Sequence, residues 1–197
     1  MKKFDSVKEK ILDRTLYLIG KKGAADVSVR EIAKEAGVNV AAINYHFRSK
    51  ELMLKEMESL FIDNYNQVYD VLDDDTYNAE EKLEKLLNEI IEYTLHYPGI
   101  TILLNQKMTD KSSEMGKFVD KNIKEKSAKI KNLIKQITGN PDDEAASFCE
   151  VSLISSVVYP ASDSQSVSFY NELNLNDPIA RERYVKHILK KMKGREK

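Results

Sequence analysis

Residues 28–52 constrain this chain more than any other stretch: Ser-Val-Arg-Glu-Ile-Ala-Lys-Glu-Ala-Gly-Val-Asn-Val-Ala-Ala-Ile-Asn-Tyr-His-Phe-Arg-Ser-Lys-Glu-Leu. Ser28 followed three positions later by Glu31 spells a capping box, in which each side chain satisfies the other's free backbone amide at a helix start. Val29, Ile32, Ala33 and Ala36 then recur on one face at helical spacing. Gly37 falls where the helix must stop in a left-handed turn, a conformation that costs glycine little. Val38 is placed to pin two crossing helices, and Asn39 to cap the next one. Val40 to Phe47 then gives about two turns, with Ile43 and Phe47 facing inward. Ser49 starts a further helix, with Glu51 in its first turn, where a carboxylate suits the helix dipole. Helix, tight turn, helix is the grammar of a helix-turn-helix, which presents its second helix to the DNA major groove.

A glycine turn between apolar-periodic segments occurs in any helical hairpin, but the complete run is far more specific. Ile32-Ala33, Ala36-Gly37-Val38, Tyr45-His46-Phe47 and Ser49-Lys50-Glu51-Leu52 together resemble the N-terminal domain of the TetR family of transcriptional regulators. The resemblance covers residues 5–55. Beyond them it extends only to length and helical character. It implies an all-α chain of about nine helices. A three-helix DNA-binding domain over residues 1–49 would precede an effector-binding and dimerisation domain over residues 50–197.

Net charge is only −1, which looks poor for a DNA binder until its distribution is considered. Residues 1–55 hold 12 Lys/Arg against 7 Asp/Glu, a balance of +5; the remainder holds 19 against 25, a balance of −6. A basic head on an acidic body concentrates attraction to phosphates at one end. No stretch approaches the ~18 apolar residues that a membrane helix needs, and no apolar run follows Met1-Lys2-Lys3, as a secretory leader would require. Cys149 is the only cysteine, so neither an internal disulfide nor a thiolate zinc cluster is available, and a cytoplasmic setting is expected. No cofactor and no metal is expected.

Apolar spacing is helical almost throughout. A first helix is predicted over residues 6–22, with Val7, Ile11, Thr15, Leu16 and Ile19 inward. A long helix from Lys50 carries Leu54, Met57, Phe61, Val68 and Leu72, and stops at Asp73-Asp74-Asp75, three acids at an unfavourable helix end. Asn78 caps the next helix, which breaks at Tyr97-Pro98-Gly99; a short helix from Ile100 follows. Residues 113–138 and a segment opened by Pro141 and closed at Tyr159-Pro160 are helical. After a loop over residues 161–176, Asp177 caps and Pro178 opens the last helix.

The recognition helix, residues 39–46, contains no Arg or Lys, so the commonest specific contact, arginine to guanine, cannot come from inside it. The available readers are Asn39 and Asn44, which suit adenine, and the methyl groups of Val40 and Ala41, which suit thymine. An operator with A·T pairs under this helix is therefore expected, with outlying guanines only where Arg30 reaches them. Asn44 departs from the family pattern, where an aromatic residue is common. The resemblance assigns phosphate positioning to Ser28, Tyr45, His46 and Lys50. Tyr45 is favoured as a contact because Ile43 and Phe47 already fill the inward face; His46 stays open between core and contact, and Lys50 between contact and solvated lysine.

One recognition helix covers only a few base pairs, so a two-fold homodimer on a palindromic site is expected. The resemblance assigns the dimer interface to the last two helices, where Val151, Ile154, Val158, Tyr184 and Ile188 are the candidates. It also implies a pocket in the middle helices for an unknown small-molecule effector. Candidate walls are Phe61, Tyr65, Tyr93, His96, Tyr97, Met108 and Phe118, with Cys149 and Tyr159. The expected function is a repressor released from its operator by that effector. The alternative is a helical DNA-binding adaptor or activator without a pocket. No enzyme is read: three histidines (46, 96 and 187) stand apart, and neither a phosphate loop nor a nucleophile elbow occurs.

Overall fold

The computed structural model describes residues 6–22, 27–97, 114–162 and 173–194. Within them eight α-helices occur: α1 (Val7–Lys22), α2 (Val29–Ala36), α3 (Val40–Phe47), α4 (Lys50–Tyr69), α5 (Ala79–His96), α6 (Glu114–Thr138), α7 (Asp143–Ser162) and α8 (Pro178–Met192). A 3-10 turn, Asp70–Asp73, extends α4, and no strand is present among the described residues. The helix expected from Ile100 lies outside the described residues. The chain divides into two compact units, Met1–Tyr65 with Tyr97–Phe118, and Asn66–His96 with Val119–Lys197.

In the first unit α1 is buried along a broad face, with Ile11, Leu12, Leu16, Leu18 and Ile19 all in the interior. Val7 is exposed, because the packed face of α1 begins one turn later at Ile11. The α1 helix packs against α2 and α3. Small Ala33 and Ala36 are buried, as close helix approach requires. Thr15 returns its hydroxyl to the Ile11 carbonyl at 2.7 Å, which lets a polar residue sit fully buried. From α4, Met53, Met57, Phe61 and Tyr65 are buried at 3–4 spacing.

The second unit is built around α5, whose Leu83, Leu86, Leu87, Ile90 and Ile91 pack with Ile130 and Ile134 of α6, Leu153 and Val157 of α7, and Val185 and Leu189 of α8. Truncating any one of these leucines to alanine costs about 2–5 kcal/mol, the transfer loss plus the cavity left behind. The acidic stop after α4 is answered by lysines: Lys129 lies 2.6 Å from Asp73 and holds its carboxyl below the usual range, and Lys82 donates to the Leu72 carbonyl at 3.2 Å. Asn78 caps α5, accepting from the amides of Glu80 and Glu81 at 3.0 Å each.

The α7 helix departs from expectation, because it runs through Pro160 to Ser162 instead of ending there. A proline inside a helix has no N–H for the carbonyl four residues back. That carbonyl belongs to Ser156, and the Tyr184 hydroxyl of α8 donates to it at 2.7 Å. A partner from the neighbouring helix replaces the missing intrahelical donor, so α7 continues. Its start also shifts by two residues, from Pro141 to Asp143: Asp142 is the cap, accepting from the Ala145 amide at 2.6 Å.

Candidate nucleic-acid interface

The turn between α2 and α3 is built as its residues require. Ser28 accepts from the Glu31 amide at 3.2 Å while Glu31 accepts from the Ser28 amide at 3.0 Å, closing the capping box. Lys22 adds a 2.6 Å ion pair to Glu31. These bonds, led by the one from Lys22, pull the Glu31 carboxyl down to about 2. A carboxylate therefore already serves the Ser28 amide at the start of α2 and also accepts from the Ser28 hydroxyl. Gly37 takes φ 63, ψ 38, and the Val38 amide reaches back to the Ala33 carbonyl at 2.9 Å. Asn39 caps α3 by accepting from the Ala42 amide at 2.8 Å.

With Ile43 and Phe47 buried, α3 turns a single face outward: Val40, Ala41, Asn44 and Tyr45 are all exposed. Tyr45 is 84% exposed. His46 is half-buried between Tyr45, whose ring it meets edge-on at 5.2 Å, and Phe47 at 6.1 Å. Asn39, Ser28 and Arg30 are exposed and Lys50 is half-buried. Ser49 begins α4 by accepting from the Leu52 amide at 3.2 Å.

Arg48, which sequence reasoning passed over, extends the outward face of α3 by one step, four residues beyond Asn44. Its backbone has φ 57, ψ −40, and it is the one non-glycine residue with positive φ among those described. The Ser49 amide donates to the Phe47 carbonyl across it, which makes a γ-turn of the rare, strained kind. The side chain is exposed and forms no ion pair among the described residues. Continuing the 40, 41, 44, 45 face by one turn would have found it. Two other cations of this unit are engaged elsewhere: Lys8 pairs with Glu56 at 2.6 Å, and Arg14 with Asp13.

The effector candidates fall into separate groups. Phe61, Tyr65 and Phe118 come together in the first unit, with Tyr65 at 6.1 Å from Phe61 and 5.9 Å, edge-on, from Phe118. Tyr97 is buried in the same unit, and its hydroxyl donates to Asp13. Met108 lies outside the described residues. In the second unit Tyr93 packs on the core, His96 is half-buried, and Tyr159 is exposed on α7. Cys149 lines a groove of about 360 Å³ between α7 and α8, with Phe148, Ser152, Ser156, Ile188 and Met192 among its walls. Of the interface candidates, Val151 is exposed, whereas Ile154, Val158, Tyr184 and Ile188 lean on the unit's own core.

Residues 11–57 match the family model for bacterial regulatory proteins, tetR family. The chain is 32% identical over 106 residues to the "Probable HTH-type transcriptional regulator YttP" of Bacillus subtilis (strain 168), a match covering 53% of this chain and 51% of that protein. The chain spans about half the length, or less, of the curated relatives it matches. Among solved structures it is similar to the ketosteroid transcriptional regulator KstR2 of Mycobacterium tuberculosis, with TM-score 0.65, 20% identity, and coverage of 98% of this chain and 95% of that one. It is also similar to AibR in complex with isovaleryl coenzyme A and operator DNA, with TM-score 0.63, 18% identity, and coverage of 94% and 97%. At these identities the solved structures speak for the shared fold alone. The helix-turn-helix geometry and the family match over it together make residues 11–57 similar to the DNA-binding segment of bacterial regulatory proteins of the tetR family.

Proposed function

We propose that the chain is a transcriptional regulator that binds a palindromic operator as a homodimer and, as a repressor, leaves it when a small molecule binds the body. One observation carries this reading: α3 is capped at its start, buried through Ile43 and Phe47, and free along Val40, Ala41, Asn44 and Tyr45. A helix held in this way presents base-reading groups whose side chains the core does not use. Asn44 and the two small apolar side chains favour adenine and the thymine methyl. Ser28, Tyr45, His46 and Lys50 are the proposed phosphate contacts that set register, with Asn39 a second amide reader and Arg30 the reader of any outlying guanine. The solved complex of the similar regulator AibR holds both an acyl coenzyme A and operator DNA. In this chain the aromatic cluster of buried Phe61 and Tyr65 with half-buried Phe118 is proposed as the apolar wall that meets the effector.

Selection of binding sites from random duplexes tests the reading directly. An inverted repeat with A·T pairs at the centre of each half-site is the expected result. Half-sites dominated by G·C would overturn the assignment of α3, and the absence of any selected sequence would overturn the function. A ligand screen for loss of operator binding then tests the repressor mechanism, since an effector shifts the balance only through unequal affinity for the two states.

A further inference from the structure

We propose that Tyr97 is a positioning residue for DNA reading, a strut that sets α1 through the buried carboxylate of Asp13; this rests on the function proposed above. Asp13 lies on α1 and is 1% exposed. A buried carboxylate is costly unless hydrogen-bonded charge or hydroxyl groups answer it. Arg14 answers it, with Nε at 2.8 Å, but Arg14 is its neighbour in sequence and moves with it. Tyr97, which donates its hydroxyl to Asp13, is 84 residues away. The same hydroxyl oxygen accepts from Asn64 Nδ2 of α4 at 3.4 Å. Asn64 and Tyr97 are themselves buried.

One tyrosine hydroxyl thus joins the first helix of the DNA-reading unit to the helix that leads out of it. Its place in the chain gives the bond its meaning. Tyr97 directly follows α5, the central helix of the other unit's core, and is the residue at which the chain re-enters the first unit. The α1 helix packs against both α2 and α3. A bond that fixes α1 therefore fixes the floor on which the recognition helix stands. Hydrophobic packing holds these helices together without direction; the hydroxyl–carboxylate bond adds a single permitted register.

The test uses the full chain with the operator obtained by selection, and a scrambled duplex of equal length. Tyr97→Phe keeps the ring and removes only the hydroxyl. At a temperature where thermal melting shows both proteins folded, it is expected to weaken operator binding by up to about tenfold, the full worth of one charge-assisted bond when the free protein loses the arrangement that the operator selects, with scrambled-DNA binding unchanged. Asp13→Asn combined with Tyr97→Phe should weaken binding no further than Asp13→Asn alone, as for two groups acting through one bond. Hydrogen exchange on the free protein supplies a readout that needs no DNA: amides of α1 and α3 should exchange faster in Tyr97→Phe, those of α5 and α7 at the wild-type rate. A lowered melting temperature with operator affinity and α3 exchange unchanged would make Tyr97 merely structural and overturn the proposal. If the wild type selects no operator, the functional reading fails on its own, and the exchange result still decides the strut.

Discussion

At the scale of single residues, Arg48 sets backbone comfort against charge. A non-glycine residue in a strained positive-φ turn costs roughly 1–3 kcal/mol, and a glycine would sit there without penalty. The arginine at the end of the outward face of α3 therefore suggests that its side chain is wanted there. Arg48→Gly is expected to raise the melting temperature while lowering the salt slope of operator binding by about one unit, the signature of one lost phosphate contact. Stability and affinity moving in opposite directions supports the assignment; an unchanged slope in titrations at several salt concentrations would remove Arg48 from the interface. Glu31 gives a pH prediction with a definite sign. Its carboxyl lies at about 2 in the folded chain against an ordinary value of 4.5. A lowered folded value means that its contribution is present above pH 4.5 and is lost as pH falls toward 2. The gap in melting temperature between wild type and Glu31→Gln should accordingly be widest at pH 5 and above and close on acidification. A gap that persists at pH 2 would contradict this.

At the scale of elements, what the sequence made legible follows from the reach of each bond. The capping box of α2, the caps from Asn39, Ser49, Asn78 and Asp177, and the Gly37 turn all join residues within about one helical turn. Spacing along the chain encodes such bonds, so the helix-turn-helix was readable to within a residue or two. The inward turn of Ile43 and Phe47 likewise implied the outward turn of Val40, Ala41, Asn44 and Tyr45. What periodicity cannot encode is a partner far away in sequence. Asp13 looks like a surface acid until Tyr97 is beside it, and Pro160 looks like a helix end until Tyr184 supplies the missing donor. The body candidates suffered in the same way. Aromatic residues could be named, but which of them meet depends on contacts between helices: Tyr65 reaches Phe118, while Tyr159 stands exposed.

At the scale of the whole molecule, α7 carries apolar residues on two sides. Leu153 and Val157 face its own core, while Phe148 and Val151 are 65% and 64% exposed. If the proposed homodimer forms, these exposed apolar groups are the surface offered to the second copy of the chain. The double variant Phe148→Glu/Val151→Glu should leave the fold within about 0.5 kcal/mol of wild type, as exposed substitutions do. Sedimentation is expected to fall to the 22.6 kDa of one chain, with operator affinity lost. A dimer that persists would place the interface elsewhere. Further along the same helix lies the joint between α7 and α8, where the Tyr184 hydroxyl supplies the donor that Pro160 lacks. The missing donor gives the helix pair a keyway. Sliding by a turn would pull the key out and strand the Ser156 carbonyl. An alanine at position 160 would restore the amide and fill the slot from within. The more regular helix would then have the weaker hold on its neighbour.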